Sequence, residues 1–178
     1  GVVKTFQGPF RKAPGRVGRF YAAEHSLQGR TLPCLYTHAV PTDGSPDVAY
    51  TYGRYTLRVP EGATLRTATA LAFDHPLADG VRMTLLLRHG GRETRLLDEH
   101  VRQAVWKNHE VSLAPFAGQD VTLEFRTDCG GPTANTNADH ALWGAPRIEV
   151  GKRSVYDFCS RIDTAVTGWV VPRRWHHL

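Results

Sequence analysis

Alternation of apolar and polar residues with a period of two is the feature that most constrains the fold of this chain. From Thr31 onward it recurs at 55–59, 81–88 and 121–126, and a shorter segment at 148–150 closes the series. In each segment the apolar side chains share one face, and Thr, Arg or Glu side chains share the other, as in strands buried on one side. The pattern therefore predicts a chain dominated by half-buried β-strands.

Turn-forming sequences separate these segments. The 178 residues include 17 Gly and 11 Pro, more than an average domain carries, and many of them lie between the strands, as at 60–62, 79–80 and 118–120. Short strands joined by such turns are typical of an all-β, jelly-roll β-sandwich. We therefore predict two packed antiparallel sheets with at least eight strands and little helix.

Residues 92–114 are ambiguous. The stretch contains no Gly or Pro, and Leu97, Val101 and Val105 follow one another at intervals of four, as on one face of an amphipathic helix. Taken alone, this spacing predicts a helix at 93–107. The regular strand spacing on both sides favours strand–turn–strand instead, which is the interpretation that fits a sandwich.

Composition divides the chain into three parts. Residues 1–30 are basic and rich in Gly and Pro, and we interpret them as a leader or linker. Residues 31–150 carry the strand pattern and form the predicted sandwich. Residues 151–178 are interpreted as a C-terminal extension packed on the sandwich. The apolar runs are only three or four residues long, so no membrane-spanning helix is expected.

The formal net charge of +5 comes mostly from arginine, since only four of the 22 cations are lysine. Arginine offers a planar fork to carboxylate, sulfate or phosphate, so an acidic polymer is a conceivable partner. The arginines are scattered over turns and strand faces rather than clustered. We therefore predict no nucleic-acid partner.

The three cysteines are Cys34, Cys129 and Cys159, and no pair has the spacing of a zinc ribbon. An odd number allows at most one disulfide within the chain. Cys129–Cys159 is the favoured pair, because both residues lie near the last predicted strand. Three buried free thiols are an equally consistent alternative.

Motifs of serine hydrolases, P-loop proteins, zinc proteases and dinucleotide-binding enzymes are absent. Two polar clusters, at 35–55 and 127–144, stand out instead. Their Asp, Arg and His side chains can hydrogen-bond sugar hydroxyls, and their aromatic rings can stack on a pyranose. The oxygen-rich second cluster also suits a calcium ion. The candidate sugar contacts are Tyr36, His38, Arg54, Asp139, His140 and Trp143.

These clusters belong to a wider resemblance. The segments LYTHA, YTLRVPEGATL, DGVRMTLLLRHGG, VSLAPFAGQDVTLEFRTDCGG and DHALWGAPRIE, in this order, resemble the novel carbohydrate-binding module family. The matching region spans residues 31–150, and most of its specificity rests on His38 and on Asp139-His140 with Trp143. The family's D-H-A-D-W motif has a second acid where this chain has Leu142, so any ligand role of that acid is lost.

The resemblance implies a galactose-binding-like jelly roll with a non-catalytic role, binding a glycan or polysaccharide beside a glycoside-active or cell-surface protein. It also implies a structural Ca²⁺ in many members. We accordingly expect an extracellular or cell-surface location, and either a monomer or a part of a larger multidomain chain.

Two other functions remain open. A jelly-roll polysaccharide lyase or hydrolase would need His, Tyr and Arg side chains to converge in one groove, with the tyrosine as acid or base. A structural or protein-interaction domain would need no such groove.

Trp106 is expected in the core, and Trp169 and Trp175 in the extension are the next candidates for a binding face.

Overall fold

The computed structural model describes residues 2–11, 18–41, 48–131, 136 and 138–172. In these ranges it contains twelve strands and two single-turn 3-10 helices, Ala114–Phe116 and Ile162–Thr164. Among the described residues, no helix reaches the length and apolarity needed to span a membrane. The strands are β1 (Val2–Gln7), β2 (Arg19–Leu27), β3 (Arg30–His38), β4 (Tyr50–Arg58), β5 (Ala63–Leu71), β6 (Val81–His89), β7 (Arg92–Val101), β8 (Lys107–Ser112), β9 (Asp120–Asp128), β10 (His140–Val150), β11 (Arg153–Asp157) and β12 (Val166–Val171).

The strands form two antiparallel sheets packed face to face. Sheet A has the order β1-β12-β4-β9-β6-β7, and sheet B has the order β2-β3-β10-β5-β8, with β11 also paired to β10. Strands that are distant in sequence lie side by side in both sheets, as expected for a jelly roll. The predicted all-β sandwich, with more than eight strands, is confirmed.

The ambiguous stretch at 93–107 is a strand and a turn. β7 pairs along its length with β6, and Leu97 lies opposite Leu85 while Val101 lies opposite Val81. The register shifts between Leu85 and Leu86, which leaves Leu96 as an extra residue in β7. Leu97 and Val101 are four residues apart, a spacing that fits one face of a strand as well as one face of a helix, and this is why the sequence here resembles a helix.

The segment interpreted as a leader or linker contributes a strand to each sheet. β1 pairs with β12 at the edge of sheet A, and β2 pairs with β3 at the edge of sheet B. The ring of Phe20 packs on Gly53, where an added Cβ would lie 2.2 Å from Cζ of Phe20. Within 2–11 and 18–30 the interpretation is therefore corrected, because these residues bury core side chains; residues 12–17 lie outside the described part.

The C-terminal segment also enters the sheets rather than packing on them as an appendage. β12 lies between β1 and β4 in sheet A, and β11 extends sheet B beside β10. Trp169 in β12 is buried against Phe10, with ring centroids 5.4 Å apart. Trp169 therefore offers no binding face, and Trp175 lies outside the described residues.

An aromatic cluster fills the space between the sheets. The ring of Phe125 lies 5.1 Å from Trp143 and 5.0 Å from Phe158, both in edge-to-face geometry. Tyr55 packs on Phe158 at 4.9 Å, and its hydroxyl donates to the Phe158 carbonyl at 2.9 Å. Each such aromatic pair adds about 0.5–1.5 kcal/mol beyond the burial of its area. The cluster joins both sheets to the C-terminal segment.

The cysteines are buried, and Cys34 and Cys159 are free thiols. The predicted Cys129–Cys159 disulfide is therefore corrected, and for these two residues the structure agrees with the alternative of buried thiols. Burial raises the pKa of the Cys34 thiol to about 12, so it stays protonated and behaves as a small apolar side chain.

Candidate functional site

Three of the predicted site residues meet on the outer face of sheet B. His140 in β10 lies directly opposite His38 in β3. The side chain of Thr37 points inward, because its hydroxyl lies 2.9 Å from that of Thr127 in sheet A. Neighbouring side chains in a strand point to opposite faces, so Tyr36 and His38 point away from the core. The antiparallel register brings His140 to the same face.

These three side chains are in direct contact. The Tyr36 hydroxyl lies 2.9 Å from Nδ1 of His140, and the rings of His38 and His140 are 4.5 Å apart in edge-to-face geometry. Nδ1 of His38 donates to the Ala39 carbonyl at 2.8 Å. The contacts hold both imidazoles in defined orientations. Where the Tyr36 hydroxyl donates to Nδ1 of neutral His140, the proton of that imidazole is on Nε2.

Aromatic rings flank this cluster on two sides. Tyr21 stacks on Tyr36, with ring centroids 5.2 Å apart and an interplanar angle of 17°, and His25 lies 6.2 Å from the same ring. Phe73 lies 5.3 Å from His140 and is 40% exposed. We call this surface the aromatic–histidine face; its residues are Tyr21, His25, Tyr36, His38, Phe73 and His140. His38 is buried and acts on the face through its contact with His140.

Three polar side chains of this face favour their neutral forms. Burial, followed by the electrostatic influence of His38 and Arg19, lowers the pKa of His140 to about 4. Burial also lowers the pKa of His38 and raises that of Tyr36 to about 12. Desolvation is thus the main cause in all three cases. The face presents neutral hydrogen-bonding groups beside flat apolar rings.

Trp143 does not belong to this face. It lies three residues beyond His140 in the same strand, so it points to the opposite side of the sheet. Its side chain is fully buried and packs on Phe125. A side chain without exposed surface cannot stack on a ligand, so the predicted sugar contact at Trp143 is corrected to a core position. The outcome for Trp106 is the opposite. The sequence predicts a core position for it, but its side chain is only partly buried.

Arg54 lies on the other sheet. It belongs to an ion-pair cluster on the outer face of sheet A, in which the buried carboxylate of Glu124 accepts from three arginines. The shortest distances are 2.7 Å to Arg54, 3.1 Å to Arg88 and 2.6 Å to Arg126. The predicted grouping of Arg54 with the histidines is therefore corrected, because β4 belongs to sheet A.

Asp139 precedes His140 but turns into the protein. It is fully buried, and neither carboxylate oxygen makes a hydrogen bond of normal geometry within the described residues. Burial, followed by the negative charge of Asp79, raises the pKa of Asp139 to about 7, while the N–H of Gly80 acts in the opposite direction. A direct sugar contact at Asp139 is therefore corrected to a buried carboxyl group beside the exposed Asp79.

Two neighbouring carboxylates are one way to bind a divalent cation, since calcium prefers oxygen ligands. Asp139 makes no side-chain hydrogen bond of normal geometry among the described residues, which fits this use. In the part of the chain that is described, no cluster of three or more His, Cys, Asp or Glu side chains is suitable for a metal. Further oxygen ligands would have to come from backbone carbonyls or water.

Sequence reasoning did not identify Tyr21, His25 or Phe73 as candidate site residues. Tyr21 and His25 lie in the segment interpreted as a leader. The alternation of Phe20, buried, with Tyr21, half-buried, is the one signal that could have identified this strand. Phe73 follows the end of β5, and nothing local places it beside His140.

Comparisons with known proteins give distant similarities. No family model matches the sequence. An uncharacterized protein of Archaeoglobus fulgidus is 28% identical over 124 residues, which cover 65% of this chain and 30% of the relative. The chain thus spans less than a third of the length of that relative.

Two solved structures of carbohydrate-binding modules are also similar. TmCBM61, in complex with β-1,4-galactotriose, has a TM-score of 0.45 and 13% identity, covering 71% of this chain and 74% of that one. A CBM51 from Clostridium perfringens, in complex with methyl-galactose, has a TM-score of 0.38 and 14% identity, covering 82% and 88%.

Proposed function

We propose that this protein is a non-catalytic carbohydrate-binding module that binds a glycan on the aromatic–histidine face. The observation that carries the proposal is the contact of Tyr36, His38 and His140 beside the exposed ring of Phe73. Sugars are recognised by polar groups that bond to hydroxyls and by flat rings that pack on C–H faces. The aromatic–histidine face has both kinds of group within contact distance of one another.

The neutral state of the imidazoles suits this role. A neutral histidine both donates and accepts hydrogen bonds, as a sugar hydroxyl does. Each neutral hydrogen bond contributes about 0.5–1.5 kcal/mol net. A single pyranose held by a few such bonds and one stacking contact would then bind near −4 kcal/mol, with a Kd on the order of millimolar.

The same electrostatics oppose the alternative of a lyase. A tyrosine that removes a carbon-bound proton works best when its pKa lies near the working pH. Burial moves the pKa of Tyr36 the other way, to about 12. With its pKa lowered to about 4, His140 is also a weak base. Both shifts favour binding without catalysis.

We also propose that Asp139 and Asp79 hold a structural Ca²⁺. Buried Asp139 makes no side-chain hydrogen bond of normal geometry among the described residues, and burial, followed by the charge of Asp79, raises its pKa. A bound cation would supply the positive charge that offsets this repulsion. It would also fix the chain just before His140, so that the metal supports the binding face without touching the sugar.

A larger protein at or outside the cell surface is the setting we propose for this module. The curated relative is more than three times as long as the part that this chain matches. A module that attaches a larger chain to a glycan would act beside a glycoside-active or cell-surface partner.

A glycan array followed by calorimetry tests the proposed function. We expect the wild-type protein to retain at least one class of glycan. Phe73→Ala and His140→Ala should abolish measurable binding while the melting temperature changes little. His89→Ala is the matched control, since His89 is an exposed histidine that contacts the Asp120 carbonyl in sheet A. Full binding by both face variants would contradict the proposal.

A further inference from the structure

A groove lined by arginines lies on the outer face of sheet B, beyond the aromatic–histidine face. It has a volume of about 170 Å³ and is lined by Arg30 from β3, Arg66 from β5 and Arg147 from β10. Its floor includes Gly144 and Ala68, which lie opposite each other in the register of β10 and β5. No long side chain projects from these two floor positions into the groove.

The carboxylates near the groove neutralise only part of its positive charge. Arg66 and Arg147 share Glu149 through their Nε atoms, at 2.7 and 2.8 Å, and Arg66 also pairs with Glu110 at 2.8 Å. Arg30 bonds only to the neutral amide of Asn108 among the described residues, at 3.2 Å. Three cations thus face two anions. Each guanidinium also has five N–H donors, more than these contacts occupy.

The groove and the aromatic–histidine face lie on the same side of the sheet. Gly144 is four residues after His140 in β10, so both positions face outward. Arg147 faces outward again, because the bulge between Gly144 and Arg147 is followed by buried Ile148. At about 3.3 Å per residue, His140 and Arg147 are roughly 20 Å apart along the strand. This span exceeds a single sugar ring and suits an oligosaccharide.

The indole of Trp106 lies between the two regions. It packs on Gly144, where an added Cβ would lie 2.7 Å from Cζ3 of the indole, and its Nε1 donates to the Arg30 carbonyl at 3.1 Å. The ring is only partly buried. It therefore adds a flat apolar surface on the way from the histidines to the arginines.

We propose that the glycan bound by this protein is acidic, and that the groove of Arg30, Arg66 and Arg147 holds a carboxylate or sulfate group of a sugar several units away from the one on the aromatic–histidine face. This proposal rests on the proposed function. A planar guanidinium fork binds carboxylate and sulfate through paired, charge-assisted hydrogen bonds, which are stronger than neutral ones. The aromatic–histidine face would then recognise the sugar ring, while the groove selects for charge.

Calorimetry with three oligosaccharides of equal length tests the proposal: a neutral galacto-oligosaccharide, a galacturonate oligosaccharide and an O-sulfated galacto-oligosaccharide. We expect the wild-type protein to bind at least one acidic ligand about tenfold more tightly than the neutral one, with the preference shrinking at high salt. The preferred ligand identifies the group as carboxylate or sulfate. Arg30→Gln and Arg147→Gln should each remove most of this preference and leave neutral binding unchanged.

Arg58→Gln is the control, because it removes one positive charge from an exposed ion pair with Asp120 on sheet A. If Arg58→Gln lost the preference for acidic ligands to the same extent, the proposal would be overturned, since the effect would then come from overall charge. Binding that depends on Phe73 but shows no preference for acidic ligands would also overturn this proposal. The proposed function would then stay intact. Acidic binding that needs Arg30 but not Phe73 would contradict the proposed face alone. Absence of binding to all three ligands would count against both.

Discussion

Replacing Asp139 by Asn separates the metal site from a purely structural role of this carboxyl group. In the folded protein without metal, burial and the charge of Asp79 raise the pKa of Asp139 from 3.8 to about 7. A raised pKa contributes stability that is present below pH 4, where the unfolded chain is also protonated. This stability is lost as the pH rises through 7. Asparagine has nearly the same shape and never ionises, so the Asp139→Asn variant avoids the loss.

The size of the effect follows from the pKa shift. One pKa unit corresponds to about 1.4 kcal/mol, so a shift from 3.8 to about 7 sets a ceiling of about 4 kcal/mol. Rearrangement and water near the loop reduce this value, and we expect Asp139→Asn to be more stable than wild type by about 1–3 kcal/mol at pH 8 in chelator. At about pH 3.5, below the pKa of the unfolded chain, the two proteins should differ little. Urea unfolding at both pH values measures the difference.

Calcium should reverse the order of stability of the wild type and Asp139→Asn. Binding to the native state alone raises stability by mass action, so millimolar Ca²⁺ should stabilise the wild type at pH 8 and leave Asp139→Asn nearly unchanged. Asp98→Asn is the matched control: its hydrogen bond to Arg82 holds the pKa of Asp98 below the usual range, so this variant should be less stable at pH 8, with or without calcium. If Asp139→Asn is the less stable protein at pH 8 in chelator, the ionised carboxylate forms a structural contact and the reasoning is refuted.

Further predictions concern the face, the packing and the ion-pair cluster. Tyr36→Phe removes the bond to His140, so calorimetry should show several-fold weaker glycan binding at an unchanged fold; unchanged affinity would exclude a role of that bond. Gly53→Ala should cost about 1–3 kcal/mol, because its Cβ meets the fully buried ring of Phe20. Calorimetric melting should then fall by roughly 2–10 °C, and an unchanged midpoint would contradict the placement of β2. Burial disfavours the charged form of Glu124, but the Arg88 hydrogen bond and neighbouring arginines prevail and hold its pKa below the usual range. Glu124→Gln should therefore cost about 1–3 kcal/mol near neutral pH, less than a fully buried pair because the arginines are partly exposed. The difference should shrink as the pH falls through the lowered pKa of Glu124, and a pH-independent difference in urea unfolding would contradict this assignment.

The sequence predicted the sandwich because burial on one face imposes a period of two in each strand, whatever the neighbours are. It also predicted that His38 and His140 lie at one edge, since one ends a strand and the other begins one. The direct pairing of these residues depends on the register of β3 against β10. The register comes from packing across the whole sheet, so the motifs alone did not give it.

The corrections have two physical sources. Trp143 points inward because it is an odd number of residues from His140. This parity was available from the sequence, but only once the strand was known to begin at His140. Arg54, Tyr21 and Phe73 depend on which strands are neighbours, and sheet B joins β2, β3, β10 and β5 from distant parts of the chain. No local pattern encodes such pairings.

Backbone NMR on the isotope-labelled protein, titrated with an oligosaccharide that scores on the glycan array, tests the central claim most directly. The aromatic–histidine face predicts that the largest amide shifts fall on β3 around Tyr36, on β10 around His140 and at Phe73, with the ring signals of Tyr21 and Phe73 moving as well. The outer face of sheet A, including Arg54, should stay unchanged. Shifts confined to sheet A, or spread evenly over both sheets, would contradict a glycan site on this face.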